Sequence, residues 1–408
     1  MSGLLSAAML SVGAAADIVT DQIAPLLREG ALSFQKDIDL TSSLKPKNWS
    51  VSQFGEAVSE AYLYCPELFF TDQSLEMRYD GSSYKVSLGY TISPSQYAGM
   101  KQQLDAAVQE VISGITDEMT DVEKALYIHD FIILNCGYDQ KGDSFDMYSC
   151  LVNGSAVCQG YSLAYMYILK NYLDIDCTIV YSETMNHAWN YVKIGGSWYH
   201  VDLTKDDAGS SYKNTSYDNC GFVKHENFLL SDQACRTTSD PHSNWKVVGG
   251  YPAATDTRYD KAFWKESNSP AVIIGKTCYF AYKTEETNPY ILICSYDFGT
   301  DTRRTLVKVN SKWYTVRNSA GTETYPYGKY YYKKCWISLA NRGNKLYFNT
   351  ARSIYSYNLT TGTTKKLYTL DKENNQIFGA VLTDSDHLQV AYRNDITYPE
   401  KYVTLKFV

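Results

Sequence analysis

No run of basic residues is long enough to grip a nucleic acid or an anionic membrane surface, and the 408 residues carry a formal charge of −7. No stretch reaches the ~20 apolar residues of a membrane-spanning helix. No C-x-x-C occurs among the ten cysteines, which leaves zinc and dithiol-redox motifs unsupported. Ten cysteines are also too few, at this length, for a disulfide scaffold. No acidic loop has the ligand spacing of a calcium site. Nucleic-acid partners, membrane spans, metals and cofactors are therefore not expected. Basic residues are missing from the start as well: the first is Arg28. Leu4 to Ala16 nevertheless has the small, apolar texture of a secretion signal, ending in an A-x-A site before Asp17. We expect residues 1–29 to hold a leader segment and the protein to be secreted or at the cell surface. The alternative is an ordinary amphipathic helix start in a cytoplasmic protein.

What is present is room and tyrosine. The length allows two or three domains with ample core. The 37 tyrosines favour strands and half-wet surfaces suited to peptide or glycan. Of the cysteines, Cys220 and Cys235 flank a loop-like stretch and are the expected bridge, if one forms.

The chain is organised around Leu151-Val-Asn-Gly-Ser-Ala-Val-Cys158-Gln-Gly-Tyr-Ser-Leu-Ala-Tyr165. Val157, Tyr161, Ala164, Tyr165, Ile168, Leu169 and Tyr172 recur at helical spacing, and Asn153, Gly154 and Ser155 offer turn and capping chemistry before them. Cys158 then falls in the first turn, where unpaired N–H groups and the helix dipole favour a thiolate. A cysteine alone reads as a core residue. Two later segments change that reading. His187-Ala-Trp-Asn-Tyr-Val-Lys-Ile194 and Ser197-Trp-Tyr-His-Val-Asp202 flank Gly195-Gly196, the pattern of a tight hairpin. A two-residue turn pairs Ile194 with Ser197, sets Trp189 opposite Asp202 and His187 opposite Thr204, and leaves His187 and Asp202 diagonal on one face. A three-residue turn would separate them. Thiol, imidazole and carboxylate together form a nucleophile, a base and its orienter.

Val157-Cys-Gln-Gly-Tyr161, His187-Ala-Trp-Asn190 and Trp198-Tyr-His-Val-Asp202 resemble, in order and spacing, the three motifs of the transglutaminase-like superfamily, whose bacterial-type members include cysteine proteases. The resemblance covers about Asp121 to Asp207. It implies a papain-like core with Cys158 as nucleophile, His187 as general base and acid, and Asp202 holding the imidazole. It further implies acyl transfer on peptide or side-chain amides through a thioester. Hydrolysis is the expectation, because water is the default acceptor. An amine acceptor would make the protein a glutamine transamidase, and a core without turnover would make it a binding scaffold. The partner is thus a protein or peptide substrate. Tyr138-Asp139 stands where many members carry Tyr-Asp, so Tyr138 lines the cleft or merely packs.

Other residues compete for these roles. His200 shares the His187 face but sits nearer the turn. Asp206 and Asp207 read as solvated turn residues, and His129 and Asp130 as solvated or capping groups on a helix opened by the box Thr120-Asp-Val-Glu123. His225 is given no catalytic role. Residues 140–150 read as a polar loop and 232–250 as irregular. The fold class expected is α+β: a small N-terminal α/β cap (30–115), the catalytic core (116–251) and a C-terminal all-β domain (256–408). In the last, Tyr296 to Leu306 aligns without gaps to Tyr357 to Leu367, with a worn third copy at residues 388–392 and 402–407. We expect a propeller-like or stacked-sheet domain that scaffolds, or docks to a cell-surface polymer.

Overall fold

The structure is a computed structural model, and it describes residues 18–44, 49–207, 221–282, 290–311, 313, 316–317, 323–324, 336–373, 375–383, 386–393 and 401–406. The Leu4–Ala16 segment, the linker at Lys45-Pro46-Lys47 and Cys220 of the expected bridge lie outside them. No helix among the described residues is long and apolar enough to cross a membrane. Helices and strands are mixed, and no barrel closes among the described residues. Two compact units divide the chain: Met1–Gly114 with Tyr138–Thr204 and Leu229–Asp260, and Ile115–Gly137 with Lys205–Phe228 and Lys261–Val408. The units interleave along the chain.

The helices are α1 (Ala24–Leu32), α2 (Val51–Leu63), α3 (Pro94–Ile112), α4 (Asp121–Asn135), α5 (Met147–Leu151) and α6 (Cys158–Tyr172). Three of them start on reciprocal capping boxes: Ser50 with Gln53, Ser93 with Gln96, and Thr120 with Glu123. Each box satisfies two N–H groups that the first turn leaves without partners.

In the first unit, β1 (Asp37–Asp39), β2 (Thr71–Tyr79) and β3 (Tyr84–Tyr90) form an antiparallel sheet in the order β1-β3-β2. The β2–β3 hairpin turns at Asp80, whose carboxylate accepts the Ser82 and Ser83 N–H groups. β1 has only three residues, too little alternation to announce a strand.

A five-stranded sheet follows, built from β4 (Cys177–Ser182), β5 (His187–Ile194), β6 (Ser197–Val201), β7 (Phe228–Leu230) and β8 (Lys246–Val247), in the order β8-β4-β5-β6-β7. β5 and β6 pair in the expected register, Ile194 with Ser197 through Asn190 with Val201. Gly195 (φ 57°) and Gly196 (φ 87°) both occupy the left-handed region, which the tight turn requires and side chains resist. The strand ends at Val201, and Leu203–Asp206 winds into a helical turn, so the expected His187–Thr204 pairing is not made. Helix α6 is tethered to the sheet by the Asn190 amide, which donates to the Ser162 carbonyl at 2.9 Å. Tyr161, Ala164, Tyr165, Ile168 and Leu169 are fully enclosed, as their spacing predicts.

In the second unit, α4 joins β strands. β9 (Val272–Ile274), β10 (Thr277–Tyr282), β11 (Tyr290–Asp297) and β12 (Thr302–Asn310) form one four-stranded antiparallel meander. β13 (Leu339–Arg342), β14 (Lys345–Asn349), β15 (Ser353–Asn358) and β16 (Thr364–Thr369) form another. β17 (Gln376–Leu382), β18 (His387–Arg393) and β19 (Lys401–Lys406) form a three-stranded one. The aligned segments lie at the same place in the first two meanders, and each has a register shift just before them, at Ile293/Cys294 and at Ile354/Tyr355.

The groups read as solvated on α4 are buried here. His129 lies between Asp130 (Nδ1 to Oδ1, 2.8 Å) and Asp206 (Nε2 to Oδ2, 3.3 Å), and is fully enclosed. His225 reaches Asp130 at 3.0 Å, and the Ala271 N–H donates to the same carboxylate at 2.7 Å. Asp206 also accepts the backbone and side-chain N–H groups of Asn227. Asp207 is likewise buried, so neither aspartate is a solvated turn residue. Burial alone would neutralise His129, but the two carboxylates win and push its imidazole up to about 9.

Candidate active site

The site assembles from the loop before α6 upward. Asp139 accepts the N–H groups of Lys141, Asp143 and Ser144. Burial pushes its carboxyl up, but these bonds prevail and hold it well below the usual range. The loop so fixed offers the Ser144 carbonyl to Val157 N–H at 2.9 Å, and Asp139 N–H donates to Ala156 at 2.9 Å. Within the stretch read as a polar loop, Asp146 caps the short helix α5 through Ser149 N–H. The cap of α6 differs from the expected one. Val157 holds that position with no side-chain cap, rather than Asn153, Gly154 or Ser155, although Gly154 does supply a left-handed turn (φ 67°). Cys158 is the first residue of the helix.

The three residues expected to act together meet. Cys158 Sγ is hydrogen bonded to the His187 ring and to the backbone of Ala188. His187 Nε2 lies 2.6 Å from Asp202 Oδ2, which leaves the other ring nitrogen, Nδ1, for the thiol. Asp202 is 1% exposed, Cys158 8% and the His187 side chain 12%, so the carboxylate is sealed while thiol and imidazole keep an opening.

The electrostatics follow from this order. Burial pushes the Cys158 thiol up, but the His187 hydrogen bond and charge and the Ala188 contact prevail and lower it. Burial pushes the His187 imidazole down, but the Asp202 charge and hydrogen bond, with the thiolate beside it, prevail and raise it to about 10. Asp202 is drawn far below the usual carboxylate range by His187 and a second histidine, His242, against its burial. The arrangement is a thiolate–imidazolium pair backed by a carboxylate, able to attack a carbonyl carbon and then deliver a proton.

That second histidine was not anticipated. His242 lies in the stretch read as irregular, yet its Nε2 is 2.7 Å from the same Asp202 Oδ2, and its ring sits 4.6 Å from that of Trp189. Short elements hold it there: a helical turn at Asp232–Cys235, whose Cys235 carbonyl accepts His242 N–H, and β8, paired with β4. No spacing or periodicity marks the residue.

The competing residues lie elsewhere. His200 accepts the Trp189 indole N–H at Nδ1 (2.9 Å) and donates from Nε2 to Asp232 (2.9 Å). Its burial outweighs the carboxylate and lowers its pKa, so it stays neutral as a link under the sheet. Tyr138 is half-buried beside the site, and burial together with the Cys158 charge raises its phenol. Gln159 lines a recess with Tyr62, Thr71, Asp146 and Leu163. Two groups of histidine and carboxylate could converge on a metal, His187–Asp202–His242 and His129–Asp130–His225. In both, hydrogen bonds already join the ligand atoms.

Residues 105–203 match the family model of the transglutaminase-like superfamily core. No curated protein matches the chain. Among solved structures, a crystal structure of a TGase is similar at 12% identity, over 35% of this chain and 47% of that one, with a TM-score of 0.25. The extracellular domain of a hybrid two component system of B. thetaiotaomicron is similar at 11% identity, over 57% of this chain and 34% of that one, with a TM-score of 0.19. The chain spans less than half the length of either structure. Residues 105–203, which contain Cys158, His187 and Asp202, are thus a transglutaminase-like domain within this chain.

Proposed function

We propose that the protein is a cysteine peptidase working by acyl transfer from Cys158. The observation that carries this reading is the hydrogen-bonded line from Cys158 through His187 to Asp202, with the thiol lowered and the imidazole raised. The thiolate adds to the amide carbonyl carbon, and the carbonyl π pair moves to oxygen. The Cys158 N–H, in the first turn of α6 and without an intrahelical partner, donates to that oxyanion. The pair returns, the C–N bond breaks, and the His187 imidazolium gives its proton to the leaving amine. A thioester remains. Neutral His187 then takes a proton from water, hydroxide oxygen adds to the thioester, and the thiolate leaves as the acid forms.

Water is the acceptor in this reading because excluding it needs a closed channel, and thiol and imidazole here keep partial exposure. The C-terminal sheets, with their matched register shifts, we read as a propeller-like repeat that docks to a protein or cell-surface polymer. The texture of Leu4–Ala16 supports secretion.

Peptide-library profiling with and without an added primary amine tests the activity. We expect cleavage by the wild type, none by Cys158→Ala, and no diversion of product by amine. Amine incorporated at glutamine would replace the peptidase reading with transamidation. Absence of turnover, together with an inert Cys158, would leave a binding scaffold.

A further inference from the structure

We propose that His242 is a positioning residue that sets the basicity of His187 through Asp202. The inference rests on the triad reading above and adds a fourth member to it.

His187 Nε2 and His242 Nε2 address one and the same oxygen, Asp202 Oδ2, at 2.6 and 2.7 Å. Each contact is short and charge-assisted, and Asp202 and His242 are 1% and 2% exposed, so water does not dilute either. One carboxylate oxygen shared between two N–H donors pulls less on each. A lone Asp202 would hold the His187 proton more tightly and make the imidazolium a poorer acid toward the leaving amine. His242 tempers that pull. Its orientation is fixed by its own N–H on the Cys235 carbonyl (3.0 Å), by Nδ1 facing that carbonyl at 3.4 Å, and by the Trp189 ring. The Nε2 atom is thereby aimed at the carboxylate.

The titratable groups facing this set come from several elements. Cys158 on α6 faces His187, and Tyr138 adjoins Cys158 and Asp202. His242 is felt by His200, which Asp232 in turn holds. None of these donates to Asp202 Oδ2 in place of His242.

The test compares His242→Leu, which removes the donor, with His242→Gln, whose amide nitrogen can replace Nε2. The readouts are the pH profile of kcat/KM, the separate kcat and KM values, and the pH dependence of Cys158 alkylation by iodoacetamide. For His242→Leu we expect kcat to fall about tenfold with KM unchanged. Its alkaline limb should move up by about 0.5–1 pH unit, because the His187 proton is held harder. His242→Gln should restore the limb and most of the rate. A merely structural role would lower thermal stability and leave the limb in place. The inference is overturned if His242→Leu, folded by its melting curve, keeps both limb and kcat within twofold while His187→Ala abolishes activity. It is overturned equally if Gln is as damaging as Leu. If alkylation of wild-type Cys158 shows no dependence on His187, the triad itself fails and this inference with it.

Discussion

At His187 burial and partnership oppose each other, and the outcome decides the pH range of the site. Desolvation alone would keep the ring neutral, while the carboxylate at 2.6 Å and the adjacent thiolate keep it charged up to about 10. The thiol moves the other way, below its ordinary value of 9.0. The reactive ion pair is populated above the Cys158 pKa and below that of His187. We therefore expect kcat/KM to rise as pH passes the lowered Cys158 pKa and to fall as pH passes about 10. In Asp202→Asn the imidazolium loses its largest stabiliser. The alkaline limb should move to lower pH, and kcat should fall about 10²–10⁴-fold. An unmoved alkaline limb would show that Asp202 does not govern His187.

The elements explain why the site stands where it does. α6 begins against the loop fixed by Asp139, and the contact is close at Gly160. A Cβ there would lie 2.7 Å from Ala156 Cβ and 2.9 Å from the Asp146 carbonyl. Alanine would gain about 1 kcal/mol of helix propensity, but the clash is with backbone and a short side chain that cannot swing away. We expect Gly160→Ala to destabilise by about 1–3 kcal/mol in urea unfolding and to slow Cys158 alkylation. A variant as stable and reactive as wild type would show that this packing does not position the thiol. The same elements show what is legible in residues alone. The β5–β6 hairpin and α6 announce themselves because their signals are local: alternation around Gly195-Gly196, and apolar residues at helical spacing after Cys158. α5 does not, since its start depends on Asp146 and the Asp139 loop rather than on periodicity. His242 is placed by the pairing of Lys246 with Tyr181 and by the Cys235 carbonyl, contacts that no short pattern encodes. For the same reason the ion-pair network around Asp130 reads as solvated charge: its partners, Asp206, His225 and Ala271, come from three separate segments.

Among the described residues, one cluster of buried histidine and carboxylate gathers around Asp202 and another around Asp130. In the second unit His129, Asp130, His225 and Asp206 bond to one another and to Asn227, Ser267 and Ala271. Removing Asp130 would take one of its two partners from each of two buried imidazoles and leave the Ala271 N–H without that carboxylate. We expect Asp130→Ala to cost about 3–5 kcal/mol of that unit's stability in urea unfolding. Because folding raises His129 from 6.5 to about 9, its share is complete below about 6.5 and lost as pH rises through about 9. A flat stability profile over that window, with a silent Asp130→Ala, would contradict this. The cysteines divide in the same way. Burial pushes Cys65 and Cys294 up to about 12 and raises Cys177 and Cys278 as well, whereas Cys158 alone among these is lowered. The most direct measurement is therefore limiting iodoacetamide on the intact folded protein at pH 7, with the label mapped by peptide mass spectrometry. The account predicts preferential labelling of Cys158, lost in His187→Ala. Uniform labelling, no labelling, or a Cys158 equally reactive without His187 would contradict it.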